Sequence, residues 1–281
     1  MSKEQIISFL KNLRILKAAS FMMMMFFGWF FYGHFSGIWN FLDLILGLIA
    51  IFCTWQFSIT VNDIFDVEID KVSHPDRPMV KGFIGRKKYI LIAIIIIAVG
   101  LISGFIMSLY SMIFVGLYFI MGYIYSAPPL RLRNYIFGTV FIGLGSSLAY
   151  FTGVFSGGEM LNWTQIMIGI LILIALSMGT VVKDYKDYEG DKKEGVTNIF
   201  TYFGLEKGMK ITTVLLIITF LLPFILIYHL IDFIVIIPIA LTVVILFNLD
   251  RIKRKTQVTM IFFFIEILYV FLRVIGIINF L

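Results

Sequence analysis

Residues 62–71 read Asn62-Asp63-Ile64-Phe65-Asp66-Val67-Glu68-Ile69-Asp70-Lys71, and 121 residues later 183–192 read Lys183-Asp184-Tyr185-Lys186-Asp187-Tyr188-Glu189-Gly190-Asp191-Lys192. Aligned without gaps, the two stretches share Asp63/Asp184, Asp66/Asp187, Glu68/Glu189, Asp70/Asp191 and Lys71/Lys192. On a helix, Asp63, Asp66 and Asp70 stand at i, i+3 and i+7, one stripe about 10 Å long. Glu68 and Glu189 fall on another face and are left out of the candidate site. Asn62 flanks the stripe with a neutral amide, and Gln56 continues it seven residues deeper. Three carboxylates in a row repel one another unless a cation sits among them. An all-oxygen set of this charge suits Mg²⁺, which takes one or two carboxylates and completes its shell with phosphate oxygens. Two such rows meeting across a cavity make a metal site that a diphosphate would finish. One copy alone reads equally well as a solvated helix end; the same spacing twice does not.

What lies around these stretches is apolar. The chain has 281 residues, 60% hydrophobic and 14% charged, with a mean hydropathy of +0.98. Soluble domains carry about 25% charged residues, so this chain is read as one polytopic membrane domain over 1–281. Runs long enough to cross the hydrocarbon layer fall at about 18–33, 42–62, 88–107, 109–126, 135–156, 164–182, 211–229, 231–248 and 258–280. The split between the seventh and eighth, near Tyr228–Asp232, is the softest, and Pro223 and Pro238 are expected to kink their helices. With nine spans, 22 of the 23 Lys and Arg lie on the side of the N-terminus and Arg273 alone remains. Positive charge marks the cytoplasmic side. The N-terminus and both acidic stretches are therefore expected in the cytoplasm and the C-terminus opposite. Four spans separate the two copies, which fits a parallel internal duplication. Basic residues spread over five segments give topology rather than a nucleic-acid partner. Cys53 is the only cysteine, so no intramolecular disulfide forms, and His34, His74 and His229 have no zinc-type spacing.

Two loops complete the picture. His74-Pro75-Asp76-Arg77-Pro78-Met79-Val80-Lys81-Gly82 is a constrained loop after the first stretch, and its Arg77 and Lys81 are placed to take phosphate oxygens. Tyr125-Ser126-Ala127-Pro128-Pro129-Leu130-Arg131 cannot continue a helix and presents Tyr125 and Arg131. Lys87 and Lys88 read as membrane anchoring; Arg14 and Lys17 are weaker site candidates. Glu266 and Arg273 share a face of the last span, as functional intramembrane charges, a structural ion pair or, for Arg273, a side chain snorkelling to the interface.

Asn62–Asp70, Asp76-Arg77-Pro78, Tyr125–Arg131 and Asp184–Asp191 together resemble the UbiA superfamily of intramembrane prenyltransferases, over essentially the whole chain. The resemblance implies nine helices around a central cavity and Mg²⁺-dependent binding of a polyprenyl diphosphate, with two ions. A lateral opening would admit greasy substrates from the bilayer. It implies Asp63, Asp66, Asp70, Asp184, Asp187 and Asp191 as metal ligands. Asn62, Arg77, Lys81, Arg131 and Lys183 would bind the diphosphate, with Asp66, Asp187, Asp191 and Tyr125 at the chemistry. The acceptor is left open among aromatic quinone precursors, chlorophyll-type rings, haem and glycerol phosphate ethers. A cation transporter using the acidic clusters as ion sites is the rival reading, although such sites tend to sit at the bilayer midplane; a membrane scaffold leaves the repeat unexplained.

Overall fold

A backbone in lipid has to satisfy its own hydrogen bonds, and the described residues accordingly form helices and no strand. The computed structural model describes residues 7–8, 11–159, 162–249, 252 and 254–278, with the side chains of Leu16, Val72, Ser73 and Glu194 excepted. Lys3, Arg251 and Lys253 of the charge count, and the last residues of the ninth run, lie outside the described residues. The α-helices are α1 (Ile15–Ser36), α2 (Phe41–Phe65), α3 (Val67–Ser73), α4 (Arg86–Met107), α5 (Leu109–Ser126) and α6 (Gly138–Val154). They continue as α7 (Trp163–Gly179), α8 (Val182–Glu194), α9 (Ile199–Phe203), α10 (Leu205–Leu221), α11 (Leu230–Asn248) and α12 (Lys255–Val274).

Each expected apolar run falls on one of these helices. Among the described residues six are long and apolar enough to cross a membrane: α2, α4, α5, α10 with its 3-10 extension to Ile225, α11 and α12. A seventh candidate is α7 with α8, a pair bent by 45°, and α6 is a shorter apolar helix of 17 residues. The protein is thus an all-helical, multi-pass membrane protein. Large apolar side chains on α4 (Ile90, Leu91, Ile94, Ile95, Ile102 and Phe105) stay exposed, as a lipid-facing surface requires.

Boundaries follow the local chemistry. The seventh run shifts toward the N-terminus: α10 starts at Leu205 and ends at Leu221, because Pro223 has no N–H to continue the ladder and Leu222–Ile225 tightens into a 3-10 turn. Pro238 is accommodated inside α11. The double proline stops α5 at Ser126, and Ala127 turns extended.

The chain divides into two compact units, Met1–Leu132 with Gly145–Leu161, and Arg133–Leu144 with Asn162–Leu281. Each carries one acidic stretch. The first unit packs α2 against α4 and α5 around Ala50, Cys53, Phe57, Val61, Ala93, Val115 and Phe119. Glycines let its backbones approach closely: a Cβ on Gly28 would lie 2.0 Å from the Tyr150 carbonyl oxygen, and one on Gly153 2.2 Å from that of Met25. Such small-residue crossings are how membrane helices gain van der Waals contact. The second unit closes over Val181, Val182, Phe200, Leu216, Phe220, Ala240, Val243, Phe247 and Phe263.

Candidate active site

In the first unit the aspartate stripe survives a helix break. Asp66 sits between α2 and α3 with φ −107° and ψ 12°, off the helical values. The hydrogen-bond ladder runs up to it (Asp66 N–H to Asn62 O, 2.9 Å) and resumes beyond it (Asp70 N–H to Asp66 O, 2.8 Å). The sequence reading treats the stripe as one continuous helix face; the break is a difference. Its cause is local. Aspartate is a weak helix former, and this one accepts from the Asn62 amide and pairs with Arg131, drawing the backbone out of line.

The loop after α3 winds back in successive turns, Arg77 N–H to His74 O at 3.1 Å and Lys81 N–H to Arg77 O at 3.0 Å. These turns bring the Arg77 guanidinium into the stripe. Its Nη1 pairs with Asp70 Oδ2, lies 3.1 Å from Asp63 Oδ1 and donates to Asn62 Oδ1 at 3.2 Å. Arg131 arrives from the other loop. Its φ of 45° is left-handed, a conformation that costs a non-glycine residue about 1–2 kcal/mol. There Nη2 pairs with Asp66 Oδ1 and donates to Phe65 O at 3.3 Å. Asp63, Asp66 and Asp70 are all buried. Burial pushes the Asp70 carboxyl up from its ordinary value, against the pull of Arg77. Arg14, just ahead of α1, feels Asp63, Asp70 and Arg77; burial, then the like charge of Arg77, lowers its pKa.

Lys81 instead pairs with the exposed Asp76, 2.9 Å away. Tyr125 is half-buried in the last turn of α5. Glu68 is 82% exposed and pairs with Lys71, in keeping with its exclusion. Gln56 is buried and donates to Leu13 O at 2.7 Å.

In the second unit Asp184, Asp187 and Asp191 lie on the unbroken α8. Asp184 is buried and paired with Lys183. Asp187 is exposed. Asp191 accepts from Asn198 Nδ2 at 2.7 Å. Burial first, then the neighbouring Asp184 charge, raises Asp191 to about 6.

Among the described residues no three His, Cys, Asp or Glu side chains converge into a ready metal-binding set. A hard cation still fits the first motif. Buried polar atoms are normally satisfied, yet Asp63 Oδ1, Arg77 Nε and Arg131 Nε are buried without a hydrogen bond. One unsatisfied anionic oxygen and two guanidinium N–H groups match an ion with phosphate oxygens. A buried N–H without an acceptor costs about 1–3 kcal/mol, and Asp63 Oδ1 has only the charge of Arg77 Nη1, 3.1 Å away, to offset its missing hydrogen bond.

Sequence reasoning missed three contributors. Asn12 donates to Asp63 Oδ2 at 2.7 Å, Tyr89 O–H reaches the same oxygen at 3.5 Å, and Asn198 holds Asp191. Asn198 alone left a local signal, the capping box it forms with Thr201 at the start of α9. Glu266 and Arg273 do not pair. Arg273 forks onto Asp232 (Nε to Oδ1 2.7 Å, Nη2 to Oδ2 3.1 Å), with Tyr269 O–H on Oδ1 at 2.6 Å. This structural clamp ties the end of α12 to the start of α11.

The sequence model described as the UbiA prenyltransferase family matches residues 15–272. Digeranylgeranylglyceryl phosphate synthase of Methanosphaera stadtmanae is 31% identical over 188 residues, 66% of this chain and 67% of that protein. A solved structure concerned with digeranylgeranylglyceryl phosphate synthase in membranes superposes with a TM-score of 0.73 at 23% identity, covering 97% of this chain and 98% of the other. A UbiA homolog from Archaeoglobus fulgidus bound to DMAPP and Mg²⁺ gives 0.71 at 23% identity, covering 96% of this chain and all of its own.

Proposed function

As the chain belongs to the UbiA prenyltransferase family, we propose that it moves a polyprenyl chain from its diphosphate onto a prenylated glycerol phosphate, with Mg²⁺ as cofactor. The observation that carries the site is the set of buried, unsatisfied groups around the first aspartate stripe: Asp63 Oδ1, Arg77 Nε and Arg131 Nε. The acceptor follows the names of the relatives, of which the Methanosphaera stadtmanae protein is one. The bound DMAPP and Mg²⁺ of the Archaeoglobus fulgidus structure supply the precedent for donor and ion. A cation path has no comparable support, since Arg77 and Arg131 already neutralise the first row.

Asp63, Asp66 and Asp70 form the first ligand set, and Asp184, Asp187 and Asp191 the second. Mg²⁺ bound there supplies Lewis-acid neutralisation of the charge that grows on the leaving diphosphate. Asn62, Arg77 and Arg131 hold the diphosphate oxygens, with Lys81, Lys183 and Tyr125 assisting. Preorganised donors aimed at developing charge are worth most in a dry site. The bond from C1 of the isoprenyl chain to the diphosphate oxygen breaks, and its electron pair leaves with the diphosphate. The acceptor hydroxyl forms the new C1–O bond and gives its proton to a carboxylate. Asp191, which burial raises to about 6, takes it. On this reading nine spans place the N-terminus and both motifs in the cytoplasm and the C-terminus opposite, and the repeated stretch descends from a parallel duplication.

The test uses purified protein, Mg²⁺, labelled geranylgeranyl diphosphate and a panel of lipid-like acceptors, with products identified by mass. A prenylated glycerol phosphate ether is expected as product. Prenylation of aromatic acceptors alone would reassign the substrate. Full activity in both Asp66→Asn and Asp187→Asn would remove the two-motif site.

A further inference from the structure

We propose that Asn12 is a positioning residue for the first aspartate: it fixes which oxygen of Asp63 faces the bound ion. The inference rests on the Mg²⁺-dependent prenyltransferase reading above. Among the described residues ahead of α1, three hydrogen bonds tie the chain to the first motif and its flanks. Ser8 Oγ donates to Asp76 O at 2.8 Å, Gln56 Nε2 donates to Leu13 O at 2.7 Å, and Asn12 Nδ2 donates to Asp63 Oδ2 at 2.7 Å. Of these, the Asn12 bond alone engages an aspartate of the stripe.

The two oxygens of Asp63 are not equivalent. Oδ2 takes the Asn12 amide and lies 3.5 Å from the Tyr89 hydroxyl, which comes from a different helix. Oδ1 is buried, makes no hydrogen bond and lies 3.1 Å from the Arg77 guanidinium. A carboxylate turns about its last bond with roughly two-fold indifference. Two donors on one oxygen end that indifference and leave the other oxygen for the ligand. The amide suits the task because it donates without charge. A lysine at this position would be a competing counter-ion, and an aspartate would set a second negative charge against the first. Groups that orient a metal ligand in this way typically change metal affinity by about 10–100-fold when removed.

The experiment is a calorimetric titration of Mg²⁺ into the full-length protein with a non-cleavable geranylgeranyl thiodiphosphate, run beside turnover measured across Mg²⁺ concentrations. Asn12→Leu and the isosteric Asn12→Asp are expected to raise the Mg²⁺ midpoint about 10–100-fold, with most of the kcat restored at saturating Mg²⁺. Tyr89→Phe should shift it less, because its contact is longer. Asn12→Gln, which keeps the donor, should recover part of the loss. Ser8→Ala, which cuts a different tie of the same segment, should leave the midpoint unchanged. A wild-type midpoint in Asn12→Asp overturns the assignment, as does an equal shift in Ser8→Ala, which would make the segment merely structural. Wild-type protein that transfers prenyl groups without Mg²⁺ would instead overturn the functional reading on which this rests.

Discussion

The two acidic stretches share their residue spacing and differ in what surrounds the aspartates. In the first unit every aspartate of the stripe is buried and meets arginine, and amides from Asn12 and Asn62 hold Asp63 and Asp66. In the second unit one aspartate is buried beside a lysine, one is exposed, and one is held by a single amide. The first lies across a helix break, the second along one continuous helix. A repeated spacing therefore does not give repeated surroundings. Guanidinium groups arriving from two loops make the first motif rigid and charge-balanced before any ligand binds. Lysines, which are flexible point charges, leave the second motif open and free to titrate.

The largest expected effect comes from removing a charge in the rigid motif. Asp66→Asn should lower kcat by about 10³-fold, the upper range for losing one preorganised electrostatic contact, and it strands Arg131 as well. The matching Asp187→Asn changes a proposed ligand at an exposed position, so the protein should keep wild-type thermal stability while losing turnover. Equal destabilisation in both would erase the contrast drawn here. Next in size is a swap of cation types. Arg77→Lys should cost about 10–100-fold in kcat/KM, since Nη1 alone meets Asn62, Asp63 and Asp70 and an ammonium there removes the buried, unbonded Nε that is left for a phosphate oxygen. Lys183→Arg should cost far less.

Titration sharpens the contrast further. Asp191 lies at about 6, and a carboxyl has to lose its proton before it can coordinate a cation. Between about pH 6 and the ordinary carboxylate range, the native protein holds a proton that must be displaced. The apparent Mg²⁺ requirement should therefore rise as pH falls through 6, and extra Mg²⁺ should push this acid limb lower. Neighbours shift the limb in opposite directions. Asn198→Ala removes a hydrogen bond that favours the charged form, so the limb moves to higher pH. Asp184→Asn removes a repelling charge, so it moves lower. Turnover against pH at limiting Mg²⁺ in the two variants checks both signs.

Much of this was legible in the sequence, because helix spacing is local information. The i, i+3, i+7 rows, the apolar runs and the double-proline stop of α5 all follow from residues close together in the chain. What could not be read depends on contacts between distant residues. Asn12 meets Asp63 across 51 positions and Tyr89 meets it across 26, and neither leaves a periodic trace. The break at Asp66 is also hidden, because the residue that draws it out of line, Arg131, comes from a loop 65 positions away. The shared face of Glu266 and Arg273 was misleading for the same reason: the partner of Arg273 is Asp232, 41 positions away on another helix.

The smallest expected effect tests the comparison from the other side. Glu68/Glu189 and Lys71/Lys192 repeat as faithfully as the aspartates, yet Glu68 is exposed and pairs with Lys71 on the helix surface. Glu189 and Lys192 are exposed too. An exposed i, i+3 pair contributes at most about 0.5 kcal/mol. Glu68→Gln should therefore change thermal stability only marginally and leave turnover, the Mg²⁺ midpoint and the acid limb at wild-type values. If it instead lowered turnover as Asp66→Asn does, position on the helix face would not be what separates working carboxylates from repeated ones. The spacing argument for all six aspartates would then have to be given up together with the division between a rigid first motif and an open second one.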